Sequence, residues 1–398
     1  MTASRRLLVG LLLGWLAAGP LAARPAAWAG PAGQTFAQDG PTQTSQQNPS
    51  DGTDGDQAVP PVEQRRHLSR RFAVGKAGRS FTLDTRYGRV QINAWNRNEI
   101  KVETELVARA ETPEAATQLL GALGVQYLDY DASTGGVSVS SQFGAALRGK
   151  CGGGRRYEVN YVIWLPRTTP LRVAAAFADV TLVGDWQGST QLAVDYGTLR
   201  TARLAGARNV VHIANGDATI PAVKQATFEA SYAKLRLSEG ERVELRSNYS
   251  DIDMGTVQDL TVHSKYGDVA LGRVRNLRGS SGYSRFSVEK LSEGLDMAVR
   301  YCPDFEVRDM GANFRQINLD GGFSTIRLGF AEATPSFQFD VSTEQGQLLV
   351  DKKLVRVLST GETQGVADVL GVYGGRVPAR GAGSVNIKVR YGTVRFSK

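Results

Sequence analysis

The strongest constraint on this chain is a four-residue motif that returns at a nearly fixed interval. Phe177-Ala-Asp-Val, Tyr196-Gly-Thr-Leu, Asn215-Gly-Asp-Ala, Tyr232-Ala-Lys-Leu, Tyr249-Ser-Asp-Ile, Tyr266-Gly-Asp-Val and Tyr283-Ser-Arg-Phe follow one another. The first two steps are 19 residues and the next four are 17. A period of this size marks a repeat architecture, in which one unit cannot bury its apolar face alone.

The apolar positions dictate what each unit looks like. Three residues after the leading residue stand Val180, Leu199, Ala218, Leu235, Ile252, Val269 and Phe286, and two further on come residues such as Leu182, Ile220 and Met254. A gap of two is strand periodicity and places both side chains on one face. In the unit headed by Tyr249, apolar residues return at Val257, Leu260 and Val262. Gly, Ser, Asn and Asp lie between, and these tolerate tight turns. Each unit therefore predicts two short strands and two turns. Stacking would set each strand beside its counterpart at about 4.8 Å and make a continuous core. The predicted class is all-β, a parallel β-solenoid or β-helix with coils of about 17–19 residues. An antiparallel meander is the alternative, but a meander does not require like residues to recur at this interval.

The motif also carries a surface row, Asp179, Thr198, Asp217, Lys234, Asp251, Asp268 and Arg285. In register, Lys234 would lie between Asp217 and Asp251, and Asp268 beside Arg285. Such exposed pairs help fix register while contributing only about 0–1 kcal/mol each. The leading aromatic column is interrupted only by Asn215. If these rings occupy turns, they stack along the repeat axis. Two readings stay open: a ladder that stiffens the turns, and a sugar-binding platform made by Tyr196, Tyr232, Tyr249, Tyr266 and Tyr283.

Ahead of the repeats, residues 1–29 read as a signal peptide. Arg5 and Arg6 precede an apolar run from Leu7 to Ala18, and Ala27-Trp28-Ala29 fits a small-x-small cleavage site. The run is too short for a membrane span, and the mature chain is expected to contain none. Residues 30–71 are poor in apolar residues and predict a disordered linker, ending in a basic knot of Arg65, Arg66, Arg70 and Arg71. Residues 72–166 predict a β-rich capping section with one short helix, opened by Thr112-Pro-Glu as N-cap, first-turn proline and dipole-favouring acid. Residues 167–398 hold the repeats. Tyr301, Phe314 and Phe323 are read as heading further, longer coils. Gln345 to Arg380 is expected to include a long loop, and Tyr391-Gly-Thr-Val closes the chain. The formal charge of +8 falls to +5 when the signal segment, with its Arg5, Arg6 and Arg24 and no acid, is removed (8 − 3). So mild and diffuse a charge does not suggest nucleic acid.

These features together resemble the bacterial "putative adhesin" domain family, a β-solenoid family of exported envelope proteins. The matching stretches are Phe81-Thr-Leu with Tyr87-Gly-Arg-Val-Gln-Ile-Asn-Ala-Trp95, Ile100-Lys-Val-Glu, and the Pro113-Glu-Ala-Ala helix. Tyr157-Glu-Val-Asn-Tyr-Val-Ile-Trp-Leu-Pro166 and the Tyr/Asn-Gly-Asp-Val steps follow in the same order, so the resemblance spans about residues 72–398. It implies a β-helical fold and surface adhesion, and it brings no catalytic residues. The tyrosines here stand where family members often have Asn or Ser.

Cys151 and Cys302 would meet in an oxidising compartment and are candidates for a disulfide that ties the opening section to the late coils. His212 and His263 differ by 51 residues, three periods, which places them too far apart to share a metal. Asp251 and Asp268 fall on adjacent coils, close enough for a retaining glycosidase pair, and Asp253 could join them in a calcium cluster. Their neighbours Lys234 and Arg285 favour simple charge compensation. No nucleotide-cradling loop and no cofactor motif is recognised. The sequence thus points to an exported, non-enzymatic binding or adhesion scaffold of the periplasm, cell surface or medium. Its expected partners are glycans or other envelope proteins. The alternatives are a β-helix polysaccharide lyase or glycosidase built on the aspartates, and a purely structural envelope protein.

Overall fold

The computed structural model describes residues 61–74, 79–131, 136–147, 157–363, 365–374 and 376–398. The signal-peptide expectation, most of the linker and Cys151 lie outside these residues. Within them the chain is all-β, with one α-helix and one short 3-10 turn at Ala145–Leu147.

The opening elements are β1 (Val62–Ala73), β2 (Ser80–Trp95), β3 (Glu99–Ala110), α1 (Pro113–Gly121), β4 (Leu123–Asp131), β5 (Gly136–Phe143) and β6 (Tyr157–Pro166). Residues 62–71, read as the end of a linker, are instead strand, paired antiparallel with β3 from Val62↔Ala110 to Ala73↔Glu99. Their charge hides them from a composition reading, because only Leu68 and Phe72 pack on the core. The arginines of the basic knot are turned to internal use. Arg65 pairs with Glu63 and Glu105, Arg66 donates to the Leu123 carbonyl, and Arg70 lies 6.0 Å from the centroid of the Tyr127 ring. The helix begins as its sequence dictates, with Thr112 Oγ1 accepting from the Ala115 N–H at 3.2 Å. β5 and β6 both pair in parallel with β2, and a chain of hydroxyls from Thr85 to Ser141 (2.9 Å) to Tyr161 (2.7 Å) joins the three. Burial pushes the Tyr161 phenol well above the usual tyrosine range.

β2 also pairs in parallel with β7 (Leu171–Val183), from Phe81↔Leu171 to Asn93↔Val183. From there β8 (Thr190–Asp195), β9 (Thr198–Arg200), β10 (Asn209–Ala214), β11 (Asp217–Ser231), β12 (Lys234–Asn248) and β13 (Asp251–Arg300) follow. Every pairing among them is parallel, and each partner sits one period away: Leu171↔Thr190, Asn209↔Ala226, Asp217↔Lys234, Lys234↔Asp251. β13 is an unbroken run of 50 strand residues, yet it is not straight. Side-chain bonds join Asp259 to Asn276, His263 to Ser280 and Ser264 to Ser281, each 17 residues apart. The alternate residues of these strands, among them Val194, Ile213, Phe228, Leu245, Met254 and Val262, form one buried cluster.

The late elements are β14 (Asp304–Met310), β15 (Gln316–Gly322), β16 (Thr325–Phe330), β17 (Phe337–Glu344), β18 (Gln347–Leu349), β19 (Val355–Thr363), β20 (Val366–Tyr373), β21 (Ser384–Arg390) and β22 (Thr393–Ser397). Chain order and spatial order part company here. β21 pairs in parallel with both β15 and β17, and β22 with both β16 and β18, so the last strands of the chain lie between two earlier layers. The stretch expected to hold a long loop instead contains the antiparallel pair β19–β20, with β20 also antiparallel to β17. Phe314 is not a corner residue. It is buried against Phe330 and Phe337.

Candidate binding face

The leading position of each motif has an unusual backbone. Tyr87, Phe177, Tyr196, Asn215, Tyr232, Tyr249, Tyr266, Tyr283, Tyr301, Phe323, Gln345 and Tyr391 all have φ between 48° and 59°, and no other described residue except glycine has a positive φ. The left-handed region costs a side-chain-bearing residue about 1–2 kcal/mol, so aromatic residues there need compensation. Their rings supply it. Phe177 stacks on Tyr87 at 5.3 Å and on Tyr196 at 4.8 Å. A second run, Tyr232–Tyr249–Tyr266–Tyr283–Tyr301–Phe323–Tyr391, has centroids 4.6–5.0 Å apart and planes within 18°. Each such contact contributes about 0.5–1.5 kcal/mol beyond area burial, so two neighbours offset one corner.

The residue after each corner is small: Gly, Ala, Ser or Cys at every one. A Cβ at Gly197 would lie 2.0 Å from the Ala178 carbonyl oxygen, and one at Gly267 would lie 2.2 Å from that of Ser250. Where serine stands there, its hydroxyl donates to the carbonyl two residues back, as in Ser250 to Asn248 (2.8 Å), Ser284 to Gly282 (2.9 Å) and Ser324 to Gly322 (2.8 Å). Cys302 occupies this same position, buried and without a disulfide among the described residues, with Sγ 3.5 Å from the Arg300 carbonyl oxygen. It is a serine substitute by place and by bond.

The sequence-predicted tyrosines all lie in this column, but not in one run. Tyr232, Tyr249, Tyr266 and Tyr283 stack together, whereas Tyr196 belongs to the run on the other side of Asn215. Rings inside a run cover one another's faces and turn edges and hydroxyls outward. Along one flank, His212, Glu229, Arg246 and His263 align in register. They line a shallow hollow of about 450 Å³ with Asn248, Lys265 and Ser280. His212 lies 3.8 Å from Asp195 and 3.5 Å from Glu229, and His263 Nδ1 lies 3.0 Å from Ser280 Oγ. The sequence shows His212 and His263 three periods apart, and the constant offset from the tyrosines is the signal that adds Glu229 and Arg246 between them.

On the opposite flank, Asp217, Lys234 and Asp251 are neighbours in register, and Asp251, Asp253 and Asp268 are exposed. Among the described residues none of these takes part in an ion pair, and no group of three His, Cys, Asp or Glu side chains could hold a metal ion. Asp259, by contrast, accepts from Asn276 Nδ2 at 2.7 Å and Arg275 Nη2 at 2.8 Å. The Asn276 hydrogen bond, with Arg275 behind it, holds its carboxyl below the usual range. A larger hollow, about 690 Å³, runs beside Arg172, Gln191 and Thr227, away from the tyrosines. Its buried polar groups bond internally, Thr190 Oγ1 to Asn209 Oδ1 (2.8 Å) and Asn209 Nδ2 to the Gln225 carbonyl (2.8 Å).

Comparison with known proteins gives little beyond this. No family model matches the chain, and no curated protein matches it. Among solved structures, one called a "putative cell adhesion protein" from Clostridium sporogenes ATCC 15579 aligns with 85% of this chain and 99% of its own, at 12% identity and a TM-score of 0.18. Another, a "putative adhesin" from Bacteroides fragilis NCTC 9343, aligns with 83% of this chain and 97% of its own, at 11% identity and a TM-score of 0.25. Likeness at these scores carries no argument about fold or role. Among the described residues, no helix is long and apolar enough to cross a membrane.

Proposed function

We propose that this chain is an exported, non-enzymatic binding scaffold of the cell envelope or surface, built as a parallel β-solenoid. The solenoid reading is supported by the constant 17- and 19-residue offsets of the parallel pairs and by the ring column that returns once per coil. Export is supported by the charge and apolar pattern of residues 1–29. The observation that carries the function is the corner column with its polar flanks. Backbone pairing on both sides holds identical outward positions in rows, so the face is preorganised over many coils, and little ordering entropy remains to be lost on binding. An elongated partner, a glycan strand or an extended segment of another envelope protein, matches a face that repeats in one direction.

The test is a combined binding and turnover screen. Purified residues 30–398 would be titrated with envelope polysaccharides and with envelope protein extracts of defined composition, with and without calcium, while soluble products are followed by mass spectrometry. Saturable binding with intact ligand is expected. Shortened sugar products lost in Asp268→Asn would overturn the non-enzymatic reading. Absence of saturable binding to either class would overturn the binding role.

A further inference from the structure

The ring column has one gap between its two stacked runs. Tyr196, Asn215 and Tyr232 occupy successive corners, because Asp195↔Ala214↔Ser231 and Thr198↔Asp217↔Lys234 pair in register on either side. Tyr196 and Tyr232 are therefore two strand spacings apart, roughly 9.6 Å, with no ring between them. Asn215 has the same left-handed backbone as its neighbours, φ 52°, so a ring at this corner would fall into line. The gap is one ring thick and holds the exposed side chain of Asn215 in place of a ring, and each wall is the face of a tyrosine with no ring partner on that side. Tyr232, at 61%, is the most exposed ring of the column, whereas Tyr196 at 53% matches Phe323 at 52%, which has a ring on each side.

The edges of the gap are acidic on both sides. Asp217 follows Asn215 on one flank. Asp195 lies one layer below on the other, in register with small Ala214 and with Oδ1 3.8 Å from His212 Nε2. Asp195 Oδ1 is shielded from solvent and has no hydrogen-bond partner. Within the three layers at the gap, Lys234 is the one lysine or arginine of the two rows that border it. We propose that this gap is a slot for a flat cation, the guanidinium group of an arginine side chain presented by a partner polypeptide. Tyr196 and Tyr232 would cover its two faces, and Asp195 and Asp217 would accept from its edges. This rests on the reading of the corner column as a binding face and adds the partner's chemistry.

The chemistry selects arginine over other occupants. Guanidinium is planar, stacks on aromatic faces, and presents several N–H groups in its own plane, where carboxylates accept them. A lysine ammonium has the charge but no flat faces to fill the space between two rings. A neutral aromatic ring has the faces but brings no donor or charge to the carboxylates at the rim. The adjoining hollow, with His212 and Glu229 nearest the slot, would receive the rest of the partner segment.

The experiment is an NMR titration of purified residues 30–398 carrying ring-labelled tyrosine, with acetyl-Gly-Arg-Gly-amide as probe. Acetyl-Gly-Lys-Gly-amide, acetyl-Gly-Tyr-Gly-amide and N-acetylglucosamine serve as comparisons. Saturable shifts confined to Tyr196 and Tyr232 are expected with the arginine peptide, about tenfold weaker with the lysine peptide. Asn215→Tyr fills the gap with the residue that most other corners carry, and should abolish the response while the other tyrosine signals stay in place. Asp195→Asn and Asp217→Asn should each weaken binding several-fold, and Lys234→Ala should strengthen it. Should Asn215→Tyr disturb the fold, Tyr232→Leu removes one wall while keeping apolar bulk. No saturable shift, equal response to lysine, or an undiminished response in Asn215→Tyr or Tyr232→Leu overturns the proposal. Tighter binding of the tyrosine peptide or the sugar overturns the arginine assignment. Binding to envelope material that persists in Asn215→Tyr sinks the slot alone and leaves the scaffold reading standing.

Discussion

The middle of the molecule and its two ends are built from the same strands under different rules. Between β8 and β13 the strands pair in parallel and in register with partners 17 or 19 residues away. At the ends, layers meet strands from elsewhere in the chain. β2 is hydrogen-bonded between β7 and the β5–β6 pair, and β21–β22 between β15–β16 and β17–β18. Both ends then turn antiparallel, through β3 and β1 on one side and β20 and β19 on the other. A uniform stack extends as long as the sequence repeats, and it always presents an open parallel edge. Inserting a remote strand and finishing with antiparallel ones ends the propagation and limits exposed edge. The middle is therefore stabilised by many like nearest-neighbour terms, and the ends by a few long-range ones.

That contrast predicts where damage is worst. Ile387 is buried in β21, which is bonded on both sides. Ile387→Asp places an unpaired carboxylate there, and the expected loss exceeds about 4 kcal/mol because cavity and buried charge act together. Guanidinium denaturation should show the late layers unfolding before the middle. A single unchanged transition would break the distinction drawn between ends and middle. A corner in the middle should be less costly. Gly267 has φ 148° and no room for a Cβ, so Gly267→Ala should cost about 1–3 kcal/mol of backbone strain. The same measurement should find one transition shifted to lower denaturant.

How much could be read in the sequence follows the same divide. The motif from Phe177 to Tyr283 is legible because each layer repeats its environment, so the same residue type answers the same need. Even the gap at Asn215 shows as a break in a pattern. The ends are not legible in this way. That β21 lies between β15 and β17 depends on a pairing 68 residues apart, Asn318↔Asn386, which no local period encodes. β1 reads as linker in the sequence because arginines that look solvated have partners contributed by β3 and β4. Phe314 resembles a corner aromatic in the sequence, yet the residue after it is Arg315, not a small one.

Two smaller effects sharpen the account of the middle. Tyr266 has a stacked ring on each side, so Tyr266→Ala removes two contacts of about 0.5–1.5 kcal/mol each and leaves a left-handed alanine. Urea denaturation should show a loss of about 1–3 kcal/mol. The corresponding loss for Tyr232→Ala, with one ring neighbour, should be about half. Asp259 adds a pH signature. Its carboxyl is held below the ordinary 3.8 by Asn276 and Arg275. A group whose folded value is depressed contributes stability above its unfolded value and loses it as pH falls through the folded one. Melting temperature should therefore drop below about pH 3.8, and Asp259→Asn should flatten that drop while lowering stability near neutrality. Because the side chain is 42% exposed, solvent screening keeps the effect small.

The smallest expected effect is at Cys302. Its thiol reproduces the bond that Ser250, Ser284 and Ser324 make from equivalent corners. Cys302→Ser therefore keeps both volume and partner, and should change stability by less than about 1 kcal/mol. The alternative is a disulfide to Cys151, which would close a loop of 150 residues between positions 151 and 302. Such a bridge would make the same substitution cost about 2–5 kcal/mol. Melting the wild type and Cys302→Ser, each with and without reductant, separates the two. Four coincident curves would identify Cys302 as one more small corner residue. A wild type that loses stability on reduction, down to the level of Cys302→Ser, would tie a late layer of the stack to the opening section and make the ends one covalent unit.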